Sequence, residues 1–407
     1  MATGKDQLEP LLPVAGVRLA AVSAGVRYQN RRDVVVVELA EGSLTAGVYT
    51  RNAFCAAPVQ VARRHELSCE GDVRYLLVNT GNANAGTGDQ GMRDAEQCCQ
   101  ELAQLTGVRA EQVLPFSTGV IGERLPVERI VAALPGSLSE LTGDNWKDAA
   151  VGIMTTDTRP KGISATLEFQ GQTVTITGIT KGAGMIKPNM ATMLGFVATD
   201  ARLELPLLQQ LLRTAVEQSF NRITVDGDTS TNDCCTLSAT GQSGVHVSAA
   251  EPELLAQFSD TLNDVIRELA KLIIRDAEGA RKFVTVDVRG GGSVDECLKV
   301  AYAIAESPLV KTALSASDPN WGRILAAIGR AGVEDLDVEN IDIYLGDVML
   351  VADGGLAASY TEAQGQAVMS EEDIVLRVEL GRGEVREQVW TADLSEEYVR
   401  INASYRS

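Results

Sequence analysis

The 407-residue sequence contains only two histidines, His65 and His246. A zinc site built on several histidines is thereby excluded, and any Ser–His or Cys–His mechanism would have to run through one of these two. His65 sits in VARRHEL beside two arginines and a glutamate and reads as a surface residue, while His246 lies in the strand-like stretch GVHVS. Neither has a Ser/Asp or Cys constellation nearby, so a general base working near neutral pH is expected from another group. Basic charge is also scarce: 36 Lys and Arg stand against 55 Asp and Glu, a net charge of −19. No basic surplus exists to meet phosphates, which argues against nucleic acid and anionic membranes as partners. The seven cysteines (Cys55, Cys69, Cys98, Cys99, Cys234, Cys235 and Cys297) include no C-x-x-C. An odd count with two vicinal pairs reads as free thiols in a reducing compartment. No stretch approaches the ~18 consecutive apolar residues of a membrane span, and MATGKDQLEP lacks the charged start and apolar run of a signal peptide. These absences lead to the expectation of a soluble cytoplasmic protein without a metal centre.

What is present suffices for a large core, with 45% hydrophobic and 22% charged residues. The length accommodates two ordinary domains or one large one. Helical spacing marks 93–106, which stops at Gly107, then 206–220 with Pro206 in its first turn, and 252–278. A fourth helix starts at Ser293 with Glu296 three residues on, the spacing of a capping box. Runs rich in β-branched residues predict strands at Val34–Leu39, Tyr75–Asn79, Val174–Thr180, Lys282–Val288, Ile341–Leu345 and Ile374–Leu380. A Gly-Gln turn after Ala165–Phe169 suggests a hairpin. Hairpins beside long helices favour an α+β arrangement over a repeated βαβ unit. No internal repeat or low-complexity linker is visible.

Three segments invite a chemical reading. GTGDQG at Gly86–Gly91 matches G-x-G-x-x-G, yet TGNANAG separates it from the strand ending at Asn79, and no βαβ unit is expected after it. A glycine-rich structural loop is the better reading, although NTGNANAG is unusual enough to suggest active-site architecture. The acidic cluster Asp226, Asp228 and Asp233 lacks the glutamate of a Ca²⁺ loop and reads as a solvated or helix-capping loop. The third segment is TKGAGMIKPNMATMLGFVATD, from Thr180 to Asp200. Its plain reading is a β-loop-β connection with an exposed threonine. Its functional reading is self-cleavage: in a strained loop Thr192 Oγ attacks the preceding carbonyl and gives an ester by N→O acyl shift. Water then releases Thr192 as a new N-terminus, whose hydroxyl is a nucleophile and whose α-amine is its base. Such an amine has a pKa of roughly 7.7–8.0, which suits a base near neutral pH and removes the need for histidine.

KGAGMIKPNMATML closely resembles the self-cleavage segment of the ornithine acetyltransferase family of arginine biosynthesis, which includes bifunctional glutamate N-acetyltransferases. NTGNANAG (79–86), STGVIGE (117–123), MTTDT (154–158), VDGDTSTND (225–233), RDAEGARKF (275–283), DPNWGRI (318–324) and the closing YVRINASYRS follow the family's order along essentially the whole chain. The resemblance implies a self-cleaving fold of stacked β-sheets flanked by helices, cut between Ala191 and Thr192. It makes Thr192 the nucleophile and Thr118 with Gly119 the oxyanion hole. It assigns substrate contacts to Thr155, Lys181, Thr192, Glu278, Asn402 and Ser407. Two positions depart from the family: Ala183 stands where many members have serine, and the chain ends in Ser407 where threonine is common.

The reaction so implied is ping-pong. N2-acetylornithine acetylates Thr192, ornithine leaves, and glutamate takes the acetyl group; acetyl-CoA as a further donor is left open, and no cofactor is implied. Charge type suggests Lys181 for a substrate carboxylate and Glu278 for an ammonium group. Without the resemblance, Lys181 would read as a structural ion pair and Glu278 as a helix-end glutamate. The cut would give an alpha subunit, 1–191, and a beta subunit, 192–407, intertwined in one catalytic unit and assembled as a heterotetramer of two alpha and two beta. The competing reading is an amidohydrolase or aminopeptidase on the same scaffold, in which water instead of an amine resolves the acyl-threonine. A non-catalytic amino-acid-binding protein of the same fold is disfavoured by the complete set Thr118, Gly119, Lys181 and Thr192.

Overall fold

A computed structural model describes residues 3–4, 8–187 and 193–403. In chain order the elements are β1 (Val17–Val22), β2 (Val34–Leu39), β3 (Leu44–Tyr49), α1 (Ala57–Ser68), β4 (Tyr75–Asn82), α2 (Gly88–Thr106), β5 (Val113–Val120), α3 (Val127–Ser139) and α4 (Trp146–Gly152). There follow β6 (Lys161–Phe169), β7 (Gln172–Lys181), β8 (Leu194–Thr199), α5 (Leu205–Glu217), β9 (Ile223–Thr224), β10 (Cys234–Ala239) and α6 (Pro252–Arg275). The remainder comprises β11 (Phe283–Gly291), α7 (Val294–Ala305), α8 (Pro308–Ser315), α9 (Trp321–Gly329), β12 (Asp342–Leu345), β13 (Val348–Ala352), β14 (Gly355–Leu356), α10 (Glu362–Met369), β15 (Asp373–Glu379), β16 (Val385–Ala392) and α11 (Glu396–Ala403). The chain forms two compact units, a larger one of Gln7–Asn221 with Thr229–Ile273, and a smaller one of Met1–Asp6, Arg222–Asp228 and Ile274–Ser407. Among the described residues no helix is long and apolar enough to cross a membrane.

In the larger unit two sheets stack face to face, one ordered β1-β2-β4-β5 and one ordered β3-β10-β8-β7-β6. The strand sequences explain the layering. β2 reads VVVVEL with no polar alternation, because both of its faces are buried. Val35, Val37 and Leu39 join Leu19, Val78 and Phe116 against Ile179 and Phe196 of the second sheet. Val34 and Val36 point the other way, into a core shared with Cys98, Cys99 and Leu102 of α2 and Ile130 and Leu134 of α3. On the far side of the second sheet, α5 packs on β3 and β10, and Leu269 of α6 lies against Gly178 of β7. The order is helices, sheet, sheet, helices: an α+β fold of stacked sheets flanked by helices. The expected hairpin is β6–β7, in antiparallel register with Ala165 opposite Ile176. Gln170 and Gly171 both take positive φ at its tip, as a two-residue turn with primed geometry requires.

The smaller unit is built on a seven-stranded sheet, β14-β13-β12-β15-β11-β16-β9. Val284, Val286 and Val288 of β11 alternate into a core with Ile374, Leu376 and Val378 of β15 and with Val300 and Ile304 of α7. Ser293 caps α7 as its spacing predicts, its hydroxyl accepting the Glu296 N–H at 3.2 Å.

Five expectations need correction. α2 begins at Gly88, five residues before the periodic stretch at 93, and α6 stops at Arg275 instead of 278. β4 runs three residues past Asn79, and β4–α2–β5 is a parallel crossover, so a βαβ unit does surround GTGDQG. Its last glycine nevertheless serves the protein's own packing. A Cβ on Gly91 would stand 2.5 Å from Asn84 Oδ1, and Asn84 and Thr87 bond to each other at 2.8 Å at the start of α2. His65 is 6% exposed, not on the surface, because its ring nitrogen reaches the Val113 carbonyl at 2.9 Å across α1 and β5.

Phe116 and Phe196 meet edge to face between the two sheets, with ring centroids 5.2 Å apart. Phe116→Ala should lower stability by about 3–5 kcal/mol, read as a lower urea midpoint at unchanged slope. A loss below about 1 kcal/mol would mean that this contact does not hold the two layers together.

Candidate active site

Thr118 and Gly119 lie at the end of β5, where it runs parallel to β4 with Gly81 opposite Gly119. Gly119 has φ +138°, and a Cβ there would sit 2.3 Å from the Gly81 carbonyl carbon. Only glycine permits two strand ends to approach so closely. The polar groups beside them are buried and paired. Ser117 donates its hydroxyl to Asn79 Oδ1 at 2.6 Å, and Asn79 Nδ2 donates to the Asn82 carbonyl at 2.9 Å. This is the structural content of the NTGNANAG motif: its asparagines brace the strand end that carries Thr118 and Gly119.

Thr155 and Lys181 come together at the end of β7, with Lys181 Nζ donating to Thr155 Oγ1 at 3.0 Å. Beneath them is Asp157, whose side chain is fully buried and paired at 2.6 Å with the equally buried Lys161. Its Oδ1 also accepts the Gly182 N–H at 2.7 Å, and its Oδ2 accepts the Thr155 N–H at 2.9 Å. Burial alone would raise the carboxyl pKa, but the charges of Lys161 and Lys181 and these hydrogen bonds hold it far below the ordinary range. Asp157 is therefore an anion at any pH where the protein works, and it fixes both Thr155 and the chain turning out of β7. Sequence reasoning passed over Asp157 and Lys161. The signal available was the D-x-x-x-K spacing from MTTDT into the first residue of a strand.

Ala191 and Thr192 lie outside the described residues. The nearest described residues before and after them are hydrogen-bonded through their carbonyls. Thr229 Oγ1 donates to the Lys187 carbonyl at 3.0 Å, Cys234 N–H to the Met193 carbonyl at 3.0 Å, and Thr180 Oγ1 to the Leu194 carbonyl at 3.0 Å.

In the smaller unit, Glu278 stands in a tight turn three residues beyond the end of α6, not within the helix. It is 7% exposed and accepts from Asn402 Nδ2 at 2.7 Å. Gly279 takes φ +71°, and a Cβ there would collide at 2.6 Å with the Tyr398 backbone nitrogen. The turn thus seats the start of α11, where Ser395 Oγ donates to the Gly279 carbonyl at 2.7 Å. Tyr398 donates its hydroxyl to Asp226 at 3.1 Å, and burial, with Asp226, Glu278 and Asp228 around it, pushes its pKa up. Glu278 and Asn402 are therefore brought together in acidic surroundings, while Ser407 lies outside the described residues. Of the acidic loop, Asp228 is exposed, Asp226 is half-buried, and Asp233 is buried, so the loop is not the solvated cluster its composition suggests. Among the described residues no group of three or more His, Cys, Asp or Glu is arranged to hold a metal ion.

Residues 18–407 match the ArgJ family. The chain is similar from end to end to the arginine biosynthesis bifunctional protein ArgJ of Pseudomonas fluorescens, with 58% identity over 408 residues covering all of both chains. The counterpart from Pseudomonas syringae pv. tomato matches with the same identity and coverage. Among solved structures, the ArgJ bifunctional protein of Bacillus halodurans is 39% identical, covering 52% of this chain and 98% of its own, with a TM-score of 0.49. Ornithine acetyltransferase of Mycobacterium tuberculosis, complexed with ornithine, is 31% identical, covering 44% of this chain and 94% of its own, with a TM-score of 0.38. With a family match over nearly its whole length and relatives 58% identical from end to end, the chain belongs to the ArgJ family.

Proposed function

We propose that the chain is a glutamate N-acetyltransferase of arginine biosynthesis, moving the acetyl group of N2-acetylornithine to glutamate through an acetyl-Thr192 ester. The observation that carries this reading is the end-to-end identity of 58% with arginine biosynthesis bifunctional proteins. In the proposed sequence, Thr192 Oγ attacks the Ala191 carbonyl, and the C–N bond breaks to leave an ester and a free Thr192 amine; water then hydrolyses the ester, giving the Ala191 carboxylate and the Thr192 hydroxyl. That amine then takes the Oγ proton as Oγ attacks the acetyl carbon. The tetrahedral oxyanion is met by Thr118 and Gly119, where one lost donor typically costs ~2.7–4 kcal/mol of barrier. Collapse breaks the bond to the ornithine nitrogen, which receives the proton and leaves. The glutamate amine attacks the ester, and the same steps run in reverse to release N-acetylglutamate.

Lys181, held by Thr155 and Asp157, is the proposed partner of a substrate carboxylate. Glu278, oriented by Asn402, is the proposed partner of an ammonium group, with Ser407 completing the set. The second activity that the relatives' names mark as bifunctional would be acetylation of glutamate from acetyl-CoA, used as a co-substrate and not as a resident cofactor. The fold is compatible with a cut at 191/192. β3, β6 and β7 precede it and β8 and β10 follow it, yet all five share one sheet. Subunits of 191 and 216 residues would remain joined by strand pairing, and a cytoplasmic heterotetramer of two alpha and two beta chains completes the proposal.

A denaturing gel with intact mass should resolve wild type into two fragments, whereas Thr192→Ala should remain one 43.3 kDa chain. Wild type that never splits would remove both nucleophile and base from the scheme. Supplied with N2-acetylornithine and glutamate, the enzyme should yield N-acetylglutamate; acetate as the sole acetyl product would make it an amidohydrolase.

Asp157→Asn would leave Lys161 buried without its counter-charge, at a cost of about 3–5 kcal/mol in chemical denaturation, and should raise KM by loosening Lys181. Because the Asp157 carboxyl is lowered in the folded protein, its stabilisation is complete above the ordinary carboxylate value of about 3.9 and fades as the pH falls below it. The variant should lose that part of the acid sensitivity. Unchanged stability would overturn the role given to Asp157.

A further inference from the structure

The VDGDTSTND motif contains a segment that the proposed chemistry leaves unused. Asn232 is 6% exposed and its amide is fully engaged. Nδ2 donates to the Ala83 carbonyl at 2.6 Å and to the Ser117 carbonyl at 2.9 Å, while Oδ1 accepts from Thr231 Oγ1 at 2.6 Å. Ser117 is the residue before Thr118, and Ala83 directly follows β4. One side-chain amide therefore ties together the ends of the two parallel strands whose close approach Gly119 permits. Three residues earlier, Thr229 Oγ1 holds the carbonyl of Lys187, on the segment leading towards Thr192.

The loop itself is pinned along its length. Its Thr229 carbonyl accepts from Asn52 Nδ2 at 2.8 Å, Ser230 from Thr50 Oγ1 at 2.8 Å, Thr231 from Ala56 N–H at 2.9 Å, and Asp233 from Thr50 N–H at 2.9 Å. A loop fastened at four carbonyls is a rigid reference, and its side chains reach the strand end that carries Thr118 and the carbonyl of Lys187.

We infer that Thr229 and Asn232 are positioning residues, through which one rigid loop sets the placement of the Thr118–Gly119 strand end and of the Lys187 carbonyl. The inference rests on the active-site reading above. It predicts separable defects, because the two residues hold different halves of the site.

Asn232→Asp keeps the shape but turns oxygen atoms towards two carbonyl oxygens, displacing the strand end. A misplacement of about 1 Å typically costs on the order of a hundredfold in rate. Matured Asn232→Asp enzyme should therefore lose about a hundredfold in kcat for acetyl transfer, with KM for N2-acetylornithine within about twofold of wild type. Thr229→Val, which removes only the hydroxyl, should slow appearance of the two fragments by about tenfold. Thr229→Ser, which keeps the hydroxyl, should restore the wild-type rate. If Asn232→Asp does not fold, Asn232→Ser decides in its place, with a smaller loss of kcat at unchanged KM expected.

A wild-type kcat in the Asn232 variant, or equal loss in kcat and rise in KM, overturns its half of the inference. Wild-type cleavage in Thr229→Val, or no rescue by serine, overturns the other half. Failure of wild type itself to split or to transfer acetyl would count against the active-site reading instead.

Discussion

The larger unit is organised around a carboxylate that has no contact with bulk water. Asp157 accepts from Lys161, from the Gly182 N–H and from the Thr155 N–H, and the charge of Lys181 acts on it as well. Taking an anion and a cation out of water is costly, and the pair is tolerable because two backbone N–H groups join Lys161 on the carboxylate. The arrangement fixes the end of β7, the turn after it and the side chain of Thr155 in one cluster. Everything proposed for Lys181 depends on that cluster, since a free lysine would sample many rotamers and present its charge nowhere in particular.

The smaller unit buries cations differently. Lys311 is 3% exposed and donates to Thr391 Oγ1 at 2.8 Å and to the Ala392 carbonyl. Burial pushes its pKa down to about 8, with Asp393, Asp226 and Glu306 opposing the shift. Lys282 likewise donates to the carbonyls of Met369 and Glu371, at 2.9 and 2.7 Å. These lysines donate to backbone carbonyls and a hydroxyl, whereas Lys161 is neutralised by a contacting carboxylate.

Much of the fold was legible because burial on both faces leaves a continuous β-branched run, as in Val34–Leu39, and burial on one stripe leaves a helical period, as in 252–275. The misses share a physical cause. Gly81 and Asn82 have loop composition, yet they continue β4 because Gly119 offers a partner that no local rule can see. His65 looks solvated beside two arginines, but α1 turns it towards β5 while the arginines face elsewhere. Asp157 and Lys161 show only as a spacing of four; that both are buried follows from long-range packing. The site residues were carried by motif resemblance, not by propensity. The fold brings Thr155 to Lys181 and Glu278 to Asn402, while Thr192 and Ser407 fall outside the described residues.

The five-stranded sheet has a kinetic consequence for a chain divided between Ala191 and Thr192. Before division, the chain finds β7 and β8 as neighbours joined by a short connection, an encounter within one molecule. After division, the same pairing between Lys181 and Leu194 would be an encounter between two molecules, with a rate that depends on concentration. Folding would thus be a first-order event that happens once, and recovery from complete unfolding a second-order one. The persistence of the mature protein would be governed by how slowly its sheet opens, more than by the free-energy difference between its folded and unfolded states.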